Sequence, residues 1–173
     1  MINQDLLENQ VKLIYLAIGS NLGNKKHNIE KTKFELLFNK IEIIKCSSYF
    51  ETESWPDKSN PMFINIIIEV RTNLNPLNLL KICKLIEKKL GRKKSLKNTP
   101  RSCDIDIIDY KQIILNVNND YLTLHHPRIS KRNFVLLPLF NINKSWKHPK
   151  SKKKIVNLVS SLSINDLRSI KPI

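Results

Sequence analysis

Arg101-Ser102-Cys103-Asp104-Ile105-Asp106-Ile107-Ile108 decides how the rest of this chain is read. Apolar residues flank two acids spaced two apart, the pattern of a buried strand. Side chains two apart on a strand share a face, so both carboxylates project together, about 7 Å apart along the backbone. Two like charges that close in an apolar strand are costly unless something positive lies between them. Mg²⁺ suits that place, because it takes carboxylate oxygens and keeps positions open for phosphates. Just upstream lies the basic run Arg92-Lys93-Lys94-Ser95-Leu96-Lys97-Asn98-Thr99-Pro100-Arg101. Metal-binding acids beside a cluster of cations suggest a polyphosphate site. Plainer readings stay open: two aspartates facing solvent from an edge strand, and an ordinary charged loop.

Outward from this stretch, Asn75-Pro76 opens a helix with proline in its first turn. Leu77, Leu80, Leu85, Ile86 and Leu90 form its apolar face, and Gly91 ends it. Residues 62–71 (MFINIIIEVR) read as a strong strand, and the polar stretch 52–61, with two prolines, as a loop. Residues 40–51 have strand character, and residues 28–38 carry Ile29, Phe34, Leu37 and Phe38 at helical spacing. Residues 12–18 form a first strand, closed by the turn Gly19-Ser20-Asn21-Leu22-Gly23-Asn24. That turn lacks both the Lys-Ser/Thr ending of a P-loop and the GxGxxG spacing. Downstream come a short strand at 112–117, a turn at His125-His126-Pro127-Arg128, a helix over 133–140 that Pro138 kinks or ends, and helical turns over 155–162 and 164–167. The order strand, helix, strand, strand, helix, strand fits an α+β ferredoxin-like sandwich: a mainly antiparallel sheet covered on one side by two helices.

The 173 residues suffice for one domain with a real core, and a hydrophobic share of 41% argues against disorder. A single domain over residues 1–173 is expected, with an N-terminal extension at 1–11 and a tail with short helices at 142–173. No run approaches the roughly 20 apolar residues of a membrane span, and the first residues lack a signal-peptide pattern. A cytoplasmic protein without membrane contact is the expectation. Cys46, Cys83 and Cys103 make an odd count without CxxC spacing, so reduced thiols are expected rather than a disulfide framework or zinc site. The net charge of +15 resembles a nucleic-acid signature. The chain is also rich in Lys, Asn and Ile, however, and the cluster at 150–154 reads as a solvated turn. An RNA-recognition module would need exposed aromatics in an RNP1-like sequence, which is not found, and acids on its binding face would repel RNA. No nucleic-acid partner is expected.

Phe63 and Asn65 share a strand face. A buried amide needs partners for its donors and acceptors, and a flat heterocycle would supply them. Phe134 would stack on such a ring or pack in the core. His126 reads as a turn histidine.

AIGSNLGN at 17–24, SSYFETESW at 47–55, FIN at 63–65, LGRKK at 90–94, PRSCDIDII at 100–108 and HPRISKRNFVLLPL at 126–139 occur in this order. Together they resemble the 6-hydroxymethyl-7,8-dihydropterin pyrophosphokinases of folate biosynthesis. The resemblance runs from about Leu13 to Leu139. It implies transfer of diphosphate from ATP to the hydroxymethyl group of the pterin, with release of AMP, two Mg²⁺ ions and a ferredoxin-like fold. It implies that Asp104 and Asp106 hold both ions and that Asn65 binds the pterin amide edge. Phe63 and Phe134 would sandwich the ring, with backbone contacts from Thr52 and Trp55. Glu87, Arg92, Lys94, Lys97, Arg101, Ile107, Thr123, His126 and Arg132 would lie around the nucleotide, with Arg92, Lys97 and Arg101 also serving the transfer. A monomer acting on ATP and the pterin is expected. The chain departs from the family pattern at Asn98, where tryptophan is frequent, at Lys94, where arginine is common, and at Ser54 and His125, where proline is frequent. Lysine at 94 keeps the charge but loses the planar fork that grips a phosphate at two points.

Overall fold

The computed structural model describes residues 13–54, 57–92, 99–117, 122–124 and 128–173. Strand β1 (Ile14–Ser20) lies inside one sheet and is buried on both faces, as its nearly continuous apolar sequence requires. It pairs antiparallel with β4 (Phe63–Arg71) on one side and β5 (Asp104–Tyr110) on the other. The far edge of β4 is shared by β2 (Glu42–Cys46) and β3 (Phe50–Thr52). The strand character over 40–51 therefore belongs to two strands. Between them Ser47 donates its N–H to Ile67 O at 2.9 Å, while its hydroxyl accepts the Ile67 N–H at 3.0 Å. Helix α1 (Lys25–Phe38) follows β1, and α2 (Pro76–Lys89) follows β4. The expected α+β ferredoxin-like arrangement is present, with β5, β1, β4 and β2 side by side.

Helices cover both faces of the sheet rather than one. Ile14, Leu16 and Ile18 of β1 join Ile64, Ile66 and Ile68 of β4 in a core beneath α1 and α2. Tyr15, Ile67 and Ile108 face the other way, into a second core with Val135, Leu136 and Leu139 of α3 (Asn133–Ile142) and with Ile155 and Leu158 of α4 (Ile155–Ser160). A sheet apolar on both sides needs a layer on each. The C-terminal segment supplies the second layer together with Trp146. It continues through α5 (Ile164–Arg168) into β8 (Ile170–Pro172), which pairs with β3. Strands β6 (Leu115–Val117) and β7 (Leu122–Leu124) form a separate pair.

Two helix faces differ from expectation. Helix α1 starts at Lys25, capped by the Asn24 side chain, and buries Ile29, Thr32 and Leu36, whereas Phe34, Leu37 and Phe38 are exposed. Thr32 can lie inside because its hydroxyl donates to Asn28 O at 2.8 Å. Helix α2, capped by Asn75, buries Leu79, Cys83, Ile86 and Glu87 and exposes Leu85. Helix α3 runs through Pro138 to Ile142. Only one intrahelical bond is lost there, and the proline ring is buried.

Candidate functional site

Directly opposed residues of an antiparallel pair lie on one face. Gly19 of β1 opposes Asp104 of β5 and Asn65 of β4, and Asn65 opposes Phe50 of β3. One row, Asp104–Gly19–Asn65–Phe50, thus crosses four strands. It lies on the α3 face, because Tyr15 and Ala17 alternate with the inward residues of β1 in the same phase as Gly19. Asp106 opposes Ala17 in the next row, and Thr52 opposes Phe63 in the outer one. The two acids expected to project together do so. Their strand is an edge of the main sheet, and they are partly exposed, with 24% and 33% of the side chains accessible.

Guanidinium groups surround this pair. Arg92 Nη1 lies 2.5 Å from Asp104 Oδ1 and 2.7 Å from Glu87 Oε1. Arg101 Nη1 is 3.4 Å from Asp104 Oδ1, and Arg132 Nη1 is 3.1 Å from Asp106 Oδ2. Burial works against the charge on Arg92, yet the carboxylates of Asp104 and Glu87 outweigh it and raise the pKa of the guanidinium. Glu87 is buried and also accepts the Ile105 N–H at 2.8 Å and Lys84 Nζ at 2.9 Å. It ties α2 to the start of β5 and aims Arg92 at Asp104. The Nε of Arg101 is a buried donor with no acceptor among the described residues.

The second half of the row is an amide pocket. Asn65 Nδ2 donates to Thr52 Oγ1 at 2.8 Å, and both residues are buried. A Cβ at Gly19 would stand 2.8 Å from Asn65 Oδ1 and 3.5 Å from the Phe63 ring, so only glycine leaves this floor open. The Arg101 guanidinium sits 5.7 Å from the centre of the Phe63 ring, and the Arg132 guanidinium 5.3 Å from that of Phe134. Both rings thus carry a planar cation where a flat heterocycle could stack. Helix α3 packs on β4 and β3, which brings its first turn to this face.

Asp104, Asp106, Arg92, Arg101, Arg132, Asn65, Thr52 and Phe63 are brought to one face. Ile107 is in the same strand, but its side chain points into the opposite core, under α1 and α2. Thr123 lies in β7, outside the main sheet. Trp55, Lys94, Lys97 and His126, together with Asn98 and His125, lie outside the described residues. Two further residues emerged only from the fold. Gly19 and Asn21 read as a simple turn, but Gly19 is the floor of the row. Asn21 is buried and bonded to residues on both flanks. A glycine and an asparagine at the end of a strand are the ordinary signature of a turn, so residue type alone does not distinguish this one, and the only signal is that both fall in the AIGSNLGN segment at 17–24.

The donor set suits Mg²⁺. Two partly exposed carboxylates on one face provide hard oxygen donors, and this ion is usually held by one or two carboxylates with phosphate and water completing the shell. Among the described residues no group of three or more His, Cys, Asp or Glu forms a closed metal cage.

Over residues 15–144 the sequence matches the family described as 7,8-dihydro-6-hydroxymethylpterin-pyrophosphokinase. It is 35% identical over 142 residues to the 2-amino-4-hydroxy-6-hydroxymethyldihydropteridine pyrophosphokinase of Aquifex aeolicus, covering 82% of this chain and 87% of that protein. Identity to the Bacillus subtilis protein of the same name is 33% over 131 residues, covering 75% and 77%. The folic acid synthesis protein fol1 of Pneumocystis carinii is 34% identical over 159 residues, covering 92% of this chain. This chain spans 21% of that longer relative. The crystal structure of Plasmodium falciparum HPPK-DHPS with pteroate superposes with a TM-score of 0.74 at 17% identity, covering 93% of this chain and 45% of that one. That likeness is one of fold. The family match runs from β1 through the end of α3, the whole of the sheet face described above, and the chain belongs to the 7,8-dihydro-6-hydroxymethylpterin-pyrophosphokinase family.

Proposed function

We propose that this chain transfers the diphosphate of ATP to the hydroxymethyl group of 6-hydroxymethyl-7,8-dihydropterin and releases AMP, with two Mg²⁺ ions. The observation that carries the reading is one row of residues. At one end stands an acid pair ringed by arginines, at the other an amide pocket, and a glycine keeps the floor between them open. Asp104 and Asn65 are two strands apart, about 10 Å across the sheet. That span suits the meeting of a polyphosphate with the side arm of a bicyclic ring.

In this reading Asn65, oriented by Thr52, holds the amide edge of the pterin, and Phe63 and Phe134 flank its faces. Thr52, the last residue of β3, and Trp55 beyond it add backbone contacts. Arg92, Lys97 and Arg101 stabilise the charge that develops on the phosphates, while Glu87, Lys94, Thr123, His126 and Arg132 line the nucleotide side, with Ile107 contributing through its backbone only, since its side chain lies in the opposite core. The pterin hydroxyl oxygen attacks the β-phosphorus, the bond between that phosphorus and the bridging oxygen to the α-phosphate breaks, and AMP departs on the opposite side. Positioning and charge stabilisation supply most of the acceleration in phosphoryl chemistry. Asp104 and Asp106 would hold Mg²⁺, which would supply a lowered pKa at the attacking hydroxyl and charge to offset that of the phosphates. Arg92 and Arg132, which pair with the acids, are then placed to turn to phosphate oxygens. The same reading takes residues 1–173 as a single cytoplasmic domain, monomeric, with small molecules rather than nucleic acid or membrane as partners.

The test is to incubate the protein with ATP, Mg²⁺ and the reduced pterin alcohol and to identify the nucleotide released. AMP in step with the pterin diphosphate is the expected result. ADP would mark a simple kinase and overturn the proposal.

A further inference from the structure

Asn21 stands between the two loops that border the site. Its backbone N–H donates to Arg101 O at 3.0 Å, and its side-chain Oδ1 accepts the Arg101 N–H at 2.7 Å. Residue 101 is thus gripped from both sides of its own backbone, just ahead of the point where β1 and β5 begin to pair. The amide nitrogen reaches the other way. Nδ2 donates to Pro61 O at 3.1 Å and to Ser54 Oγ at 3.3 Å, and the Ser54 hydroxyl itself donates to Pro61 O at 2.6 Å. Asn21 is 2% exposed and Ser54 5%, so these bonds have little competition from water.

We propose that Asn21, together with Ser54, is a positioning residue that fixes the loop between β3 and β4 and the segment carrying Arg101 at one spacing. This role rests on the functional reading above, in which those two segments hold the pterin and the phosphates. In this role Asn21 acts through Arg101, whose guanidinium lies over the Phe63 ring and beside Asp104, and through its bonds to Ser54 and Pro61. A proline at position 54 would lack the hydroxyl that closes the triangle with Pro61, so in this chain the pin depends on the serine.

The role predicts asymmetric damage. Asn21→Ala removes the acceptor and both donors. The folded variant should lose about 100-fold in kcat, as reacting groups displaced by about 1 Å do. Ser54→Ala cuts one arm only and, being a small change, serves as the variant that keeps its fold. It should weaken pterin binding about tenfold, the factor of one hydrogen bond of ordinary net strength, and leave nucleotide binding within twofold. Asn21→Asp keeps the acceptor for the Arg101 N–H and loses both donors, so it should retain nucleotide affinity while losing pterin affinity. Calorimetry for each ligand, kcat from AMP release and thermal melting of each variant distinguish these outcomes. A lower melting temperature with kcat and both affinities unchanged in the folded protein would show Asn21 to be merely structural and would overturn the proposal. If the unaltered chain releases no AMP, the functional reading fails and this role falls with it. If the unaltered chain releases AMP and folded Asn21→Ala matches it, this role alone is overturned.

Discussion

At the scale of single residues, the site depends on charge held in place and on space kept empty. Asp104 and Asp106 are placed by strand alternation alone, and the charge between them is balanced by Arg92, Arg101 and Arg132. Asp106→Ala removes a carboxylate from a partly exposed position, so the fold should survive with its melting temperature within a few degrees. AMP release should fall by about 10³-fold or more in saturating Mg²⁺, checked by steady-state assay. Asn65→Ala should cost pterin binding about 2 kcal/mol, because the pocket loses its amide and Thr52 its donor. Nucleotide binding should be unchanged, and paired calorimetric titrations measure the split. Gly19→Ala tests the empty space. The new methyl meets Asn65 Oδ1 at 2.8 Å, and that oxygen belongs to a side chain bonded to Thr52. The variant should lose stability by about 1–3 kcal/mol in urea titration and lose pterin affinity as well. The acids and Asn65 were legible in sequence because their residue types conflict with the apolar strands around them. Gly19 and Asn21 were not, since a turn would contain the same residues.

At the scale of elements, periodicity located the strands and helices better than it chose their faces. The apolar residues Phe34, Leu37 and Phe38 looked like the inner side of α1, yet the helix buries Ile29, Thr32 and Leu36. The sheet accepts only the stripe that its twist presents, and a threonine bonded to its own backbone fits there as readily as an aliphatic residue. Ser47 splits one predicted strand into two by offering Ile67 a hydroxyl in place of a carbonyl. The segment after α3 carried no recognised motif, yet Trp146, Ile155 and Leu158 fill the second core, Trp146 Nε1 donates to buried Asp109 at 2.8 Å, and β8 covers the edge of β3. A chain ending at Lys144 should therefore lose roughly 5 kcal/mol or more, summed over three buried side chains, and should expose the edge of β3 to aggregation. Urea denaturation and light scattering check both effects.

At the scale of the whole molecule, the two cores decide how the protein responds to alkali. The thiols of Cys83 and Cys103 are pushed up to about 12, chiefly by burial. In an unfolded chain a thiol titrates near about 8.5. A folded pKa above the unfolded one means that this stability is fully present below about pH 8.5 and is lost as pH rises towards 12. Tyr15, also raised by burial, acts in the same direction. Denaturant titrations at pH 7.5, 9 and 10.5 should show falling stability, on the order of 1 kcal/mol per pH unit for each buried thiol. In the folded protein at pH 8 a thiol reagent should reach the exposed Cys46 well before Cys83 and Cys103, as the expectation of reduced cysteines requires. The sequence by itself determined the order of the two sheet-covering helices α1 and α2 and the long strands β1, β4 and β5, and the placing of two acids on one strand face, because alternation and helical spacing are local properties of a chain. Only the tertiary structure decided that the sheet is covered on both faces, that Gly19 lies between Asp104 and Asn65, and that Asn21 bridges two loops. Those facts depend on strand register and on contacts between residues 33 or more positions apart, which no local pattern encodes.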